Sequence, residues 1–279
     1  MIVGPPLPSL ESETVNAALA RAAASAHGLV FVDAYEQELA MPWSEVRERA
    51  QRMAGALAER GVRPGDRVAM VLPTGADFMD AFFGTLLAGA VPVPLYPPVR
   101  LGRMAEYVRG TARMLEVVGA RVLLSDARTR LLLGGAVELA RPALGCPTVA
   151  ELREGAVAHE AEVARDALGL IQFSSGSTVD PKPVALTHYA LMSQVAALSQ
   201  LLLVPSGSPP TGVTWLPLYH DMGLIGCLLE AMYYPGTVVL LGGIIGADLA
   251  PNPSLATLPA SLGIVSMAPV VIEGSAGRY

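Results

Sequence analysis

The chain has 279 residues, 52% of them hydrophobic and 16% charged, with 19 basic against 25 acidic residues and a net charge of −6. That apolar content with so little charge excludes a disordered chain. The acidic balance excludes a general nucleic-acid binder, which needs a basic surface. At this length a chain buries roughly three-quarters of its unfolded surface, so a large core in one or two domains is expected.

The elements are read in chain order. Residues 13–26 are Ala-rich and helical, and Leu29 to Val32 is a short apolar strand. Ser44 is placed as an N-cap. Val46, Ala50, Met53, Ala54 and Leu57 follow at helical spacing, with Gly61 as the stop. The turn Pro64-Gly65-Asp66 leads into a strand over Val68 to Leu72. A helix over Asp77 to Ala88 ends at Gly89, and a strand covers Val91 to Leu95. Met104, Tyr107, Val108, Leu115 and Val118 mark an amphipathic helix ended by Gly119, and Val122 to Leu124 is the next strand. The charged stretch 151–166 reads as a surface segment. Later strands are expected over Leu168 to Phe173, Val213 to Leu218 and Thr237 to Leu241. Helices are expected over Thr187 to Leu203 and Met222 to Tyr233. Strands alternating with helices, and apolar throughout, predict an α/β fold with mainly parallel sheets covered on both faces.

Residues 183–279 contain only Asp221, Glu230, Asp248, Glu273 and Arg278 as charged side chains. That part is therefore expected in the interior of a larger domain, or covered by further chain. The uncharged runs 231–247 and 249–272 are broken by Pro and Gly, so no transmembrane segment is expected. Cys146 and Cys227 are isolated and read as small buried hydrophobes rather than a disulfide. The N-terminus lacks the pattern of a secretory signal, and a cytoplasmic location is expected. Trp43 and Trp215 read as packing residues, and His27 and His159 as solvated surface. His188, beside Thr187 at a helix start, reads as a cap neighbour rather than a catalyst.

One segment carries chemistry. In Ile171 to His188 an apolar strand runs into Ser174-Ser175-Gly176-Ser177-Thr178, followed by Asp180-Pro181-Lys182. Hydroxyl and backbone N–H donors in a concave loop, with a lysine as a point charge, suit a polyphosphate. The spacing is not that of the Gly-x-x-x-x-Gly-Lys-Ser/Thr loop. Lys182 is the single lysine among the 19 basic residues.

The string FSSGSTVDPKPVALTH resembles the phosphate-binding signature of the adenylate-forming (acyl-activating, AMP-dependent synthetase/ligase) superfamily. WLPLYHDMGLIG (Trp215 to Gly226) is similar to the motif of its fatty-acyl-AMP ligases. AGAVPVPLYPP (Ala88 to Pro98) and RPGDRVAMVLP (Arg63 to Pro73) fit the same subgroup and order. The resemblance implies a partial large N-terminal AMP-binding domain over 10–241 and an atypical tail over 242–279, with the family's C-terminal domain absent. It implies that Ser174, Ser175, Gly176, Ser177, Thr178 and Lys182 contact ATP phosphates. It implies that His220, Asp221, Met222 and Gly223 line the place where an acyl carboxylate meets the α-phosphate. The implied reaction joins a fatty acid to ATP, with Mg²⁺, giving acyl-adenylate and pyrophosphate, and the acyl group then passes to an acyl carrier protein. A non-catalytic remnant that binds nucleotide or acyl group, an acyl-CoA synthetase and an amino-acid adenylation domain remain the alternatives. No catalytic residue and no metal ligand is assigned. Val179 and Pro183 stand where the family has glycines, so this loop differs from the family's in backbone freedom and donors.

Overall fold

The computed structural model describes residues 9–33, 35–98, 103–153, 157–174, 182–201 and 211–241. The first helix, α1 (Val15–Ala23), starts where the Thr14 hydroxyl accepts the Ala17 N–H at 3.1 Å. The chain continues through β1 (Gly28–Val32), β2 (Glu38–Pro42), α2 (Trp43–Glu59), β3 (Arg67–Val71), α3 (Ala76–Leu87) and β4 (Val91–Pro94). α4 (Met104–Val118) ends at Gly119, whose φ of 59° is the left-handed conformation that favours glycine at a helix end. Then come β5 (Ala120–Ser125), α5 (Ala127–Ala140), α6 (Val149–Leu152), β6 (Leu168–Phe173), β7 (Pro183–Thr187) and α7 (His188–Leu201). β8 (Thr211–Thr214) precedes a helical stretch made of α8 (Asp221–Gly223), a π-helical turn (Leu224–Leu229) and α9 (Glu230–Tyr233). β9 (Thr237–Leu241) follows.

Three sheets result among the described residues. β4-β3-β5 is parallel throughout. In the order β2-β1-β9-β8, β9 pairs in parallel with both β1 and β8, so Leu29 lies opposite Val238 across the length of the chain. β2 closes one edge of that sheet in antiparallel pairing. β6 and β7 form an antiparallel pair, with Phe173 opposite Pro183, and β6 packs against β4. The expected α/β fold with mainly parallel sheets flanked by helices is present.

The largest core cluster sits between α2 and α3. Trp43 is fully buried, with its ring edge-on to Phe83 at 6.5 Å, and Phe82 and Phe83 meet at 5.2 Å. The Trp43 indole N–H donates to the Gly236 carbonyl at 3.0 Å, tying α2 to the turn before β9. Asp80 of α3 is 2% exposed and accepts two hydrogen bonds from Arg49 of α2, each 2.9 Å, and one from Arg153 at 2.7 Å. Arg49 is held above its ordinary pKa, first by its hydrogen bond to Asp80. The buried charge is thus fully paired.

Several expectations are corrected. Ser44 does not cap α2. The helix begins at Trp43, whose N–H bonds to the His27 carbonyl at 3.0 Å, and Ser44 is exposed in the first turn. Strand β8 stops at Thr214 rather than Leu218, because Thr214 Oγ1 accepts the Leu216 N–H at 3.1 Å and Pro217 lacks an N–H for the ladder. α7 begins at His188, and Thr187 Oγ1 accepts the Ala190 N–H at 3.1 Å as its cap. Trp215 is not packed away but 45% exposed. His27 is half-buried, with Nδ1 3.4 Å from the Thr237 hydroxyl, whereas His159 is exposed as expected. Cys146 and Cys227 are free and half-buried, and burial pushes the Cys146 thiol up to about 11. Of the charge-poor second part, the described residues are only partly interior. Leu224, Leu228, Leu229, Met232 and Leu240 are buried, but β7 and the 215–222 segment reach solvent. No helix among the described residues is long and apolar enough to cross a membrane.

Candidate functional site

β6 is a mostly buried strand that ends at Phe173, and β7 begins at Pro183, so the phosphate-type signature is the connection of an antiparallel pair. Proline is tolerated at the first residue of a strand, which is where Pro183 lies. The two ends of the connection are tied together. The Ser174 N–H donates to the Lys182 carbonyl at 2.9 Å, and the Lys182 N–H donates to Ser174 Oγ at 3.3 Å. The Lys182 side chain is exposed at the mouth of this pair. Ser175, Gly176, Ser177 and Thr178, with Val179, lie outside the described residues.

The second signature follows β8. His220 caps α8, and its Nδ1 lies 2.6 Å from Asp221 Oδ1. The Met222 N–H donates to that same carboxylate oxygen at 2.8 Å, so Asp221 sits at the positive end of the helical stretch. Gly223 is buried, and a Cβ there would stand 2.5 Å from the Pro217 carbonyl oxygen. Only glycine lets the helix turn back so closely on the segment that precedes it.

Both signatures open onto one cavity of about 650 Å³. Ser174, His220 and Asp221 line it together, with Gln172 and Phe173 of β6, Val184 and Leu186 of β7, Tyr96, Tyr219 and Ile225. Of the expected residues that are described, Lys182, Met222 and Gly223 do not line it. Met222 is 49% exposed, with its sulfur over Gly226, and Gly223 packs against Pro217. Lys182 is exposed and its backbone bonds to Ser174, which does line the cavity.

The wall residues are held from behind. Tyr96 meets Tyr107 edge-on at 6.0 Å, and the Tyr107 hydroxyl donates to the Tyr96 carbonyl at 3.2 Å. Burial pushes the Tyr107 phenol up to about 12, and it raises Tyr219 as well, so both phenols are neutral donors at physiological pH. Gln172, a buried amide in an otherwise apolar strand, donates to the Tyr219 carbonyl at 3.1 Å. Its position in the run LGLIQF was the available signal, because a polar residue there needs a partner. Val184 and Leu186 gave no signal, because β7 itself was not expected. His188 is 1% exposed and its Nδ1 accepts the Val15 N–H at 3.3 Å, so it is a structural residue outside the cavity. Burial lowers its pKa to about 4.

The arrangement gathers the Ser174 hydroxyl and the His220–Asp221 pair on one mainly apolar cavity, with Lys182 bonded through its backbone to Ser174. The model of the AMP-binding enzyme family matches residues 19–255. The chain belongs to the AMP-binding enzyme family. Within the family, a Caulobacter vibrioides protein provisionally named an acyl-CoA synthetase is 35% identical over 204 residues, 72% of this chain and 35% of that protein. The long-chain-fatty-acid–AMP ligase FadD32 of Mycobacterium marinum is 30% identical over 193 residues, 68% of this chain and 30% of that ligase. A structure from a study of fatty acyl-adenylate ligases of E. coli and L. pneumophila superposes with a TM-score of 0.75 at 29% identity, over 85% of this chain and 43% of that one. The chain spans about a third of the length of the curated relatives it matches, 35% and 30% for these two.

Proposed function

We propose that this AMP-binding chain is the N-terminal portion of a fatty-acid–AMP ligase, which joins a fatty acid to ATP and releases pyrophosphate. The observation that carries this reading is the convergence of Ser174 with His220 and Asp221 on one cavity, because the two signatures lie far apart in sequence and meet only through the fold. In the reaction a fatty-acid carboxylate attacks the α-phosphorus of ATP. Positioning and charge stabilisation are the protein's contribution to such a transfer. Ser174 and the loop residues 175–178 donate hydrogen bonds to the phosphates, and Lys182 supplies a compact positive charge. Asp221, 2.6 Å from His220 Nδ1, fixes the orientation of that ring where the carboxylate and α-phosphate meet. The apolar wall of Phe173, Val184, Leu186 and Ile225 suits the first methylenes of an acyl chain.

Mg²⁺ is implied by the reaction. Among the described residues no group of three or more His, Cys, Asp or Glu side chains is placed to hold a metal ion. The acyl acceptor follows from the subgroup, a carrier-protein thiol. The Caulobacter relative's name gives coenzyme A as the competing acceptor.

ATP–pyrophosphate exchange with medium- and long-chain fatty acids tests the reading, and absence of both exchange and ATP binding would overturn it. Lys182→Ala should weaken ATP binding roughly tenfold, the scale of a charge-assisted hydrogen bond to phosphate. Unchanged affinity by calorimetry would remove Lys182 from the site. Offering preformed acyl-adenylate to coenzyme A and to holo-carrier protein in parallel separates the two acceptors.

A further inference from the structure

The segment Leu216 to Asp221 carries the second signature but belongs to no strand and only begins a helix. Its position is set by tethers from elsewhere. The Gln172 side-chain amide, on buried strand β6, donates to the Tyr219 carbonyl at 3.1 Å, directly before His220. The Thr74 hydroxyl, in the turn after β3, accepts the Leu218 N–H at 3.4 Å. A backbone carbonyl is only an acceptor, so the group of Gln172 that faces it must be the NH₂. Gln172 stands on β6 two residues before Ser174, which follows the strand directly, and lines the same cavity as Ser174 and His220.

From this juxtaposition we infer that Gln172 is a positioning residue that fixes the distance between the phosphate-binding end of β6 and the His220–Asp221 pair, with Thr74 as a weaker second anchor. The inference rests on the ligase reading for its purpose, but the tether itself is tested without catalysis. One hydrogen bond suffices because the segment has little ladder of its own. Lost, it leaves the Tyr219 carbonyl without a partner in a half-buried site, which favours opening of the segment.

The test is hydrogen–deuterium exchange on the whole chain, without ligand. Gln172→Leu keeps the volume and removes the donor. It should speed exchange of the His220, Met222 and Leu224 amides about tenfold and leave the β6–β7 ladder amides unchanged. Gln172→Glu adds a readout that a packing role would not move. A protonated carboxyl donates to the carbonyl and an ionised one cannot, and burial raises its pKa. After correction for intrinsic rates, Gln172→Glu should behave like the wild type at about pH 5 and like Gln172→Leu at about pH 8. Equal rates in 218–224 for all variants, or no pH dependence in Gln172→Glu, would overturn the inference. If Gln172→Leu does not fold, Gln172→Glu alone decides. ATP binding is measured on the same samples. Its absence in the wild type removes the ligase reading, while the exchange result still stands or falls by itself.

Discussion

Residues 43–153 are rich in charge, and part of it is paired beside a buried aromatic core, whereas residues 168–241 carry few charges and expose large side chains next to the candidate cavity. In the first region Asp80 is buried and joined to Arg49 and Arg153, and Trp43, Phe82 and Phe83 fill the space between α2 and α3. In the second, Trp215, Met222 and Val184 are exposed close to the candidate site. The contrast separates scaffold from site. Paired buried charge fixes how helices meet but binds nothing, while apolar surface left open around a cavity is what ligand-binding grooves show.

The contrast can be broken at its strongest point. Asp80→Ala should cost about 2–3 kcal/mol in urea unfolding, because the hydrogen bonds from two guanidiniums to a buried carboxylate are lost while Arg49 keeps Glu45 and Arg153 keeps Asp77. A loss below about 1 kcal/mol would show that the first region stands without its ion pairs. Where the second region meets α1, His188 at the start of α7 accepts the Val15 N–H. Burial depresses its pKa from 6.5 to about 4, so the unfolded chain binds more protons between those values. Its contribution is therefore present above pH 6.5 and lost as pH falls towards 4. From pH 7 to pH 5 the loss should be about 2 kcal/mol. His188→Gln should flatten that part of the stability profile, and a profile unchanged by the substitution would assign the acid sensitivity elsewhere. The smallest effect sharpens the comparison from the other side. Trp215→Ala should change stability by no more than about 0.5 kcal/mol, as expected of an exposed side chain. A larger loss on the same unfolding curves would mean that Trp215 is packed after all.

How much was legible in the sequence follows the same division. The helices with an apolar face against the core, α2, α3 and α4, could be read because burial imposes the 3.6-residue period. α5 could not. Only Leu133 and Ala136 of it are buried, Leu131 is 83% exposed, and Gly134-Gly135 interrupts its pattern. β2 and β7 escaped for a related reason, because both are largely exposed and carry no alternation. The helix expected over Met222 to Tyr233 is continuous but contains a π-helical turn, which the apolar run LIGCLL does not announce. The site was half legible. Each signature is a contiguous string and could be placed, but the meeting of Gln172 with Tyr219 and the wall from β7 are products of the fold. Nothing in the strings separates His220 and Asp221, which face the cavity, from Met222 and Gly223, which do not.

The lone lysine has a practical consequence. An amine-reactive dye offered to this chain finds Lys182 and, apart from the terminal amine, nothing else. That side chain is exposed at the mouth of β6 and β7, beside the cavity. The sequence thus arrives with a single chemical address at its candidate site, and a fluorophore placed there reports ligand entry with no engineered cysteine. Protection of that amine by ATP would locate the nucleotide from labelling yield alone.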